Sequence, residues 1–377
     1  MVERYPGAMA PEESAPVAVA RRLLGPVLGV KSGESVTIET WNHTLPYAAA
    51  CVVEARRHGA YPLLLLEEEG SFWRSLDAGA KYGRVRVSGP HELAALARTN
   101  AYIYFPGPAD RPRYRSVPPP VRSAIDRDNT KWVALARRSK VRGARCALGD
   151  ASEQQAAFWG VSATTWRGQL LKGMLETDLA QVARDGRRAR EMLKRGKTLR
   201  LTAANGTDVT MKLRGRTPVI DDGVVGPDDF ASGHLITVTP PGCAIVAIDE
   251  GSAEGIVIGN RPSYLPSGRA EGGQWELHGG HLTNAWFTEG HPTFETALNA
   301  APRGRDVVGL LAIGLNPALA PGTPQVEDQE AGAVTIAVGG NRDYGGTNRC
   351  PFLAWIVVGE ATVAVDGRPL LDRGKLL

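Results

Sequence analysis

The chain changes texture once, near residue 196, and that change limits its fold more than any other feature. Before it, helical and extended patterns alternate. "APVAVARRLLGPVLGV" spaces its apolar residues at helical period. "KSGESVTIETW" follows as a turn and a strand in which Val36, Ile38 and Thr40 alternate with polar neighbours. "TLPYAAACVVEARRHGA" reads as an alanine-rich helix stopped by Gly59, and "YPLLLLEEE" as a short strand buried on both faces. "PHELAALARTN" is a helix, "AYIYFPG" a strand, and "KWVALAR" a strand or the start of a helix. Alternation to about residue 160 predicts a parallel sheet with helices on both faces. One long helical stretch, "QLLKGMLETDLAQVARDGRRAREMLKRG", then runs to Gly196.

After Gly196 the chain turns to glycine and short strands. "KTLRLTAANGTDVTMKLRGR" is a strand, a turn on Asn205-Gly206 and a second strand with alternating Val209, Met211 and Leu213. "ATVAVDGRPLLDRGKLL" repeats the pattern with a turn at Asp366-Gly367. The expected architecture is an α/β N-terminal domain with a parallel sheet (residues 1–195). A β-rich α+β C-terminal domain (196–377) follows it. A chain of 377 residues is long enough for two cores.

Composition narrows the partners. Hydrophobic residues make up 43% and charged residues 22%, the balance of a soluble globular protein. No apolar run is long enough to span a bilayer, so no membrane partner is expected. The start, "MVERYPGAMAPEESAP", lacks a basic-then-apolar signal pattern, which points to the cytoplasm. Cys51, Cys146, Cys243 and Cys350 are far apart and read as free thiols; their spacing excludes a zinc ribbon. The net charge of +4 is mild. Two basic runs, "RRSKVRGAR" and "RDGRRAREMLKRGKTLR", read as solvated faces; without interleaved aromatics, nucleic acid is not an expected partner.

Motifs for chemistry are sparse. "GGNRDYGG" is not a GxGxxG between a strand and a helix, and the first strand–helix turn, "WNHTLP", has no glycine fingerprint; no cofactor is expected. There is no GxSxG. Of the histidines only His278 and His281, in "HGGH", are close, and two glycines between them predict an exposed hairpin turn, with Glu271 and Glu276 as distant candidates for a shared ion. His43 follows the first strand, where α/β sheets place ligands. "DDG" (Asp221 to Gly223) and "AIDEGSAEG" read as acidic turns that could hold paired carboxylates. Cys243, in "PPGC", is the one cysteine placed on a turn.

The order and spacing of "LRLTAANGTDVTMKLRGR", "DDG", "TPPGC", "EGSAEGIV", "VVGLLAIGLNP", "VTIAVG", "GGTNRC" and "VVGEATVAVDG" resemble the thermophilic metalloaminopeptidases, the family of aminopeptidase T and aminopeptidase S. The likeness covers most of the chain. It implies an α/β domain followed by a β-rich domain, a homodimer, and a two-metal site that removes N-terminal residues from peptides. A relative of the same fold, 2,5-dihydroxypyridine dioxygenase, is iron-dependent and opens dihydroxypyridine rings. The family's ligands do not carry over. Where it has a glutamate in a "PxGE" turn, this chain has Cys243 in "PPGC". Where it has a glutamate before "ALG", "GLLAIG" has Leu310; where it has a histidine in "HIALG", "TIAVG" has Thr335. Where it has "HVD" ahead of "FMIG", "LAWIVVG" has Leu353 and Trp355.

Leucine and tryptophan offer a divalent cation no lone pair, so no metal is expected at these positions. The resemblance implies a member that has lost its metal ligands and binds a small organic ligand, a peptide or a protein partner in the old cleft. It would form a homodimer or join a related active subunit. Two alternatives stand beside it. One is an enzyme with rebuilt, metal-independent chemistry drawing on Cys243, Asp222, His234, Arg342 or Tyr344. The other is a metal-dependent aminopeptidase with different ligands.

Overall fold

The computed structural model describes residues 14–82 and 88–377. The opening stretch read above for a signal pattern lies, up to residue 13, outside the described residues. Packing divides the chain into two compact units. One holds the described residues up to Phe105 together with Val117–Ala144; the other holds Pro106–Ser116 and Arg145–Leu377.

The first unit is the parallel α/β part. Its strands are β1 (Ser35–Trp41), β2 (Tyr61–Glu67), β3 (Ala101–Tyr104) and β4 (Arg142–Cys146), in the order β2-β1-β3-β4, and the unit ends inside β4. β1 runs parallel to β2 on one side and β3 on the other. Helices α1 (Ala15–Arg22), α2 (Leu45–Arg57), α3 (Glu69–Tyr82), α4 (Pro90–Leu96) and α5 (Pro119–Arg138) alternate with the strands. Val36 and Ile38 of β1 are wholly buried, as their alternation predicts. "KWVALAR" resolves as the last turns of α5.

The strand β2 corrects one expectation. Its leucines were read as buried on both faces, yet Leu63, Leu64 and Leu66 are 42%, 38% and 47% exposed. Among the described residues β2 pairs with β1 alone, so it is an edge strand and its side chains lack the neighbours that a second flanking strand would bring.

The second unit opens with helices α6 (Glu153–Trp159), α7 (Ala163–Leu175) and α8 (Leu179–Arg195). The predicted single helix over 169–196 is therefore two. The break falls at Thr177-Asp178 because Asp178 caps α8, its carboxylate accepting from the N–H groups of Ala180 and Gln181 at 2.9 and 3.1 Å. The Thr177 hydroxyl meanwhile donates to Asn316 Oδ1 at 2.8 Å. The change of texture near residue 196 lies within this unit, at the tight junction from α8 into the strands.

Those strands are β5 (Thr198–Thr202), β6 (Asp208–Lys212), β7 (Val219–Asp221), β8 (Ile236–Thr239), β9 (Cys243–Ala247), β10 (Glu254–Ile258), β11 (Ser263–Leu265), β12 (Gly268–Ala270), β13 (Gln274–His278), β14 (His281–Trp286), β15 (Val308–Gly314), β16 (Val334–Gly339), β17 (Leu353–Val358), β18 (Thr362–Val365), β19 (Arg368–Asp372) and β20 (Lys375–Leu376). Short helices α9 (Pro227–Ser232) and α10 (His291–Ala300) interrupt them. An eight-stranded sheet runs β14-β13-β10-β6-β5-β18-β19-β20, and a five-stranded antiparallel sheet runs β17-β16-β15-β9-β7. Inward residues of both sheets, among them Leu199, Leu201, Val209, Met211, Trp275, Leu311, Ile313, Val334 and Ile336, form one core with Val182, Ala189 and Leu193 of α8.

Candidate functional site

The five-stranded sheet shows the core only one of its faces. Ala244, Val246, Leu311, Ile313, Val334, Ile336, Ala354 and Ile356 point into the sandwich. Because side chains alternate along a strand, Cys243, Ile245 and Ala247 of β9 lie on the opposite face, as do Thr335 and Ala337 of β16 and Leu353 and Trp355 of β17. On β15 an irregularity between Val308 and Leu310 resets the alternation and places Leu310 and Ala312 on that same outer face. The register then makes rows. Leu310 is opposite Ala247 on one side and Ala337 on the other, and Ala337 is opposite Trp355. Ala312 lies between Ile245 and Thr335, and Cys243 lies between Gly314 and Asp221.

The structure thus brings Cys243, Leu310, Thr335, Leu353 and Trp355 onto one face of one sheet. Ala247, Leu310 and Ala337 form a small apolar cluster there, with Ile245, Trp355 and the ring of Tyr344 packed on it. Leu353, at the open end of β17, is 37% exposed. The Thr335 hydroxyl is buried without a hydrogen-bond partner.

Tyr344 is held by the glycine-rich turn "GGNRDYGG". Asn341 Nδ2 donates to Glu250 Oε1 at 2.9 Å, and Thr347 donates to the same oxygen from its N–H and its hydroxyl. Asn348 Nδ2 donates to the carbonyls of Gly304 and Gly339 at 2.7 and 2.8 Å. Arg216 closes the knot on Glu250 Oε2 at 2.6 Å. Burial alone would raise the Glu250 pKa, but Arg216, Thr347 and Asn341 outweigh it and hold it at about 2. The polar chemistry of the turn is therefore structural. It seats Tyr344 over an apolar floor.

His234 joins this edge: its ring lies 6.2 Å from that of Tyr344, nearly parallel, and its Nε2 bonds the Asp343 carbonyl at 2.8 Å. Asp222 caps a turn through the Val224 N–H, and burial raises its pKa. Arg342 is exposed on the turn that carries Tyr344. His278 and His281 are exposed as expected but engage different acids, Glu254 at 2.9 Å and Asp306 at 2.8 Å, instead of sharing Glu271 or Glu276. His43 belongs to the first unit, in the turn after β1.

The residues that sequence patterns missed, Glu327 and Asp328, are acids. Asp221, singled out in the sequence as part of an acidic turn that could hold paired carboxylates, lies at the end of β7. Burial pushes its pKa to about 7, against hydrogen bonds from the Thr237 hydroxyl and the Val238 N–H. Burial pushes Asp328 to about 6 and Glu327 to about 8. Glu327 accepts from the Tyr264 N–H at 3.0 Å and from Trp355. Asp221 and Asp328 both act electrostatically on Cys243 and Tyr344, and Asp221 stands directly opposite Cys243 in the sheet register. The Cys243 thiol is raised well above its usual value, by burial first and then by these carboxylates. Burial and the neighbouring carboxylates both work against a thiolate there. The only sequence sign of Glu327 and Asp328 is the acidic run "VEDQE", which matches no motif.

The two-metal chemistry implied by the resemblance does not fit these side chains. The five positions supply one protonated thiol, one hydroxyl and three groups without donor atoms. Among the described residues no cluster of three or more His, Cys, Asp or Glu is arranged to hold a metal ion.

An α/β unit followed in sequence by two antiparallel sheets around one core is a fold shared with solved proteins. Wild-type AmpT (aminopeptidase T) from Thermus thermophilus is similar at 17% identity and a TM-score of 0.68, over 96% of this chain and 99% of that one. The 2,5-dihydroxypyridine dioxygenase from Pseudomonas putida KT2440 is similar at 13% identity and a TM-score of 0.64, over 97% of this chain and 98% of that one. At these identities the likeness establishes the fold. No protein-family model matches the sequence, and no curated protein does.

Proposed function

We propose that this chain is an aminopeptidase T-like protein without the family's metal ligands, whose former cleft binds a small organic ligand. The observation that carries the reading is the outer face of the five-stranded sheet. Leu310, Ala312, Ala337 and Trp355 form an apolar floor, and Thr335, Tyr344, Asp221 and Asp328 supply a few polar groups around it. Apolar walls with a small number of oriented polar groups suit a planar organic molecule better than a hydrated cation. Peptide hydrolysis by metal-activated water is not part of the proposal.

The test uses the purified full chain and an environment-sensitive apolar dye, 1-anilinonaphthalene-8-sulfonate, read by fluorescence. Saturable binding that survives a chelator and is lost in Trp355→Ala supports the reading. Stoichiometric zinc or iron after purification, with chelator-sensitive release of N-terminal residues from peptides, ends it.

A second reading, metal-independent acid–base chemistry in the same cleft, is favoured by one observation. Asp328 and Asp221, at about 6 and about 7, sit near neutrality on either side of a typical working pH. A turnover whose pH profile has limbs near those values, with the upper limb removed by Asp221→Asn, would select it over simple binding.

We also propose the cytoplasm as the setting and a homodimer or a heteromer with a related subunit as the assembly. Four free, buried cysteines support a reducing compartment, and no described helix is long and apolar enough to cross a membrane. The division into residues 1–195 and 196–377 is proposed as a functional one, because all five family-site positions follow Gly196.

A further inference from the structure

A groove lies away from that sheet face, where the last two turns of α8 meet the hairpin of β18 and β19. Its volume is about 550 Å³. Arg188 and Arg195 are seven residues apart, two helical turns, so they stand on one stripe of α8 with Met192 between them. Arg368, the first residue of β19, enters from the other side. The floor is Met192 and Val365. Gly196 makes the close approach possible: a Cβ there would lie 2.1 Å from Val365 Cγ1.

The arginines of α8 are not equivalent. Arg184 bonds Gln181 at 2.6 Å and Arg190 pairs with Asp228 at 2.6 Å. Arg187 acts on Asp222. Arg188, Arg195 and Arg368 form no ion pair or side-chain hydrogen bond with any described residue, Arg368 acts on Asp366 across the groove through its charge alone, and all three are exposed. Two carboxylates also border the groove, Glu191 and Asp366. Asp366 is already committed, accepting from the N–H groups of Lys197 and Thr198 at 2.9 to 3.2 Å. The negative end of the α8 dipole opposes an anion here, but Lys194 and Arg195 in the last turn offset it. Three guanidinium groups without an ion pair thus line one groove with a short apolar floor.

We propose that this groove binds a small organic phosphate, its phosphoryl oxygens held by Arg188, Arg195 and Arg368 and its apolar part resting on Met192 and Val365. Guanidinium groups match phosphate oxygens in pairs, which a lysine face would not do. A long nucleic-acid strand fits less well. Its charge would run onto Glu191, and the groove holds no aromatic ring on which a base could stack.

Calorimetric titration of the full chain with phenyl phosphate, inorganic phosphate and a single-stranded oligonucleotide tests this. Saturable binding of phenyl phosphate is expected, tighter than inorganic phosphate. The double variant Arg188→Ala/Arg368→Ala should weaken it about tenfold or more, as loss of charge-assisted bonds requires. Arg200→Ala, which removes an exposed arginine paired with Asp208 elsewhere, should leave it unchanged. Unaltered thermal melting would show that the double variant still folds. The proposal is overturned by three results: no saturable binding of phenyl phosphate, equal loss in Arg200→Ala, or oligonucleotide binding that persists undiminished in the double variant.

Discussion

The two faces of the β17-β16-β15-β9-β7 sheet are written in the same apolar alphabet and do different work. Leu311 and Ile313 face the sandwich core and are wholly buried; Leu310 and Ala312 face outward and keep 7% and 6% of their surface in contact with solvent. A strand reading "VGLLAIG" gives no hint of which leucine is core and which is floor. What separates the faces is their company. The inner face meets only apolar side chains, whereas the outer face meets Tyr344, an unpartnered hydroxyl and carboxyls displaced toward neutrality. The lesson is that an apolar face of a sheet is not thereby core, since this one keeps displaced carboxyls in its neighbourhood.

That contrast can be broken most sharply by placing the same charge on each face. Leu311→Asp should cost about 4 kcal/mol or more, because an unpaired carboxylate in the core has no partner. Leu310→Asp should cost about 2 kcal/mol and abolish dye binding. Urea denaturation of both variants reads the difference, and equal losses would mean that the outer face is core as well.

The knot that seats Tyr344 comes next. Glu250→Ala should cost about 2–4 kcal/mol, since Arg216 is then left partly buried without its carboxylate. The Glu250 pKa is depressed in the folded chain. Its stabilisation is thus present above the unfolded value and is lost as pH falls from about 4.5 toward about 2. Melting temperatures across that window should converge for the wild type and the variant.

Asp221 has the opposite sign. Its folded pKa is raised to about 7, so ionising it works against folding, and the penalty grows as pH rises from the unfolded value near 4 through about 7. Asp221→Asn keeps an acceptor for Thr237 and should be more stable than wild type at pH 8 by about 1–2 kcal/mol, with no gain at pH 4. A variant less stable at both pH values would remove Asp221 from the list of displaced acids.

The smallest effect is an expected null. Leu353→His together with Trp355→His should not confer tight zinc retention, because Leu310 and Cys243 would still stand where the resemblance implies glutamates. Elemental analysis after dialysis checks it.

Much of the architecture was legible because periodicity reports burial on one face. The alternation of Val209 with Met211 and the turn at Asp366-Gly367 follow from local pattern, whereas Cys243, Leu310, Thr335 and Trp355 are linked in the sequence only by the resemblance, and their common face comes from the sheet register. Failures came where the deciding partner is remote. The leucines of β2 look like a central strand, but only the sheet order shows that they form an edge. The helix over 169–196 has no proline or glycine at its break; the cap on Asp178 and the reach of Thr177 to Asn316 decide it. Asp328 was invisible because a carboxyl's pKa depends on what covers it.

The irregularity between Val308 and Leu310 leaves Gly309 as a spare residue. Deleting Gly309 would join Val308 to Leu310 in unbroken alternation, leaving Leu310 and Ala312 outward and Leu311 and Ile313 inward. The composition of the floor is therefore independent of the spare residue, which contributes only the local bend and twist of the strand beneath it.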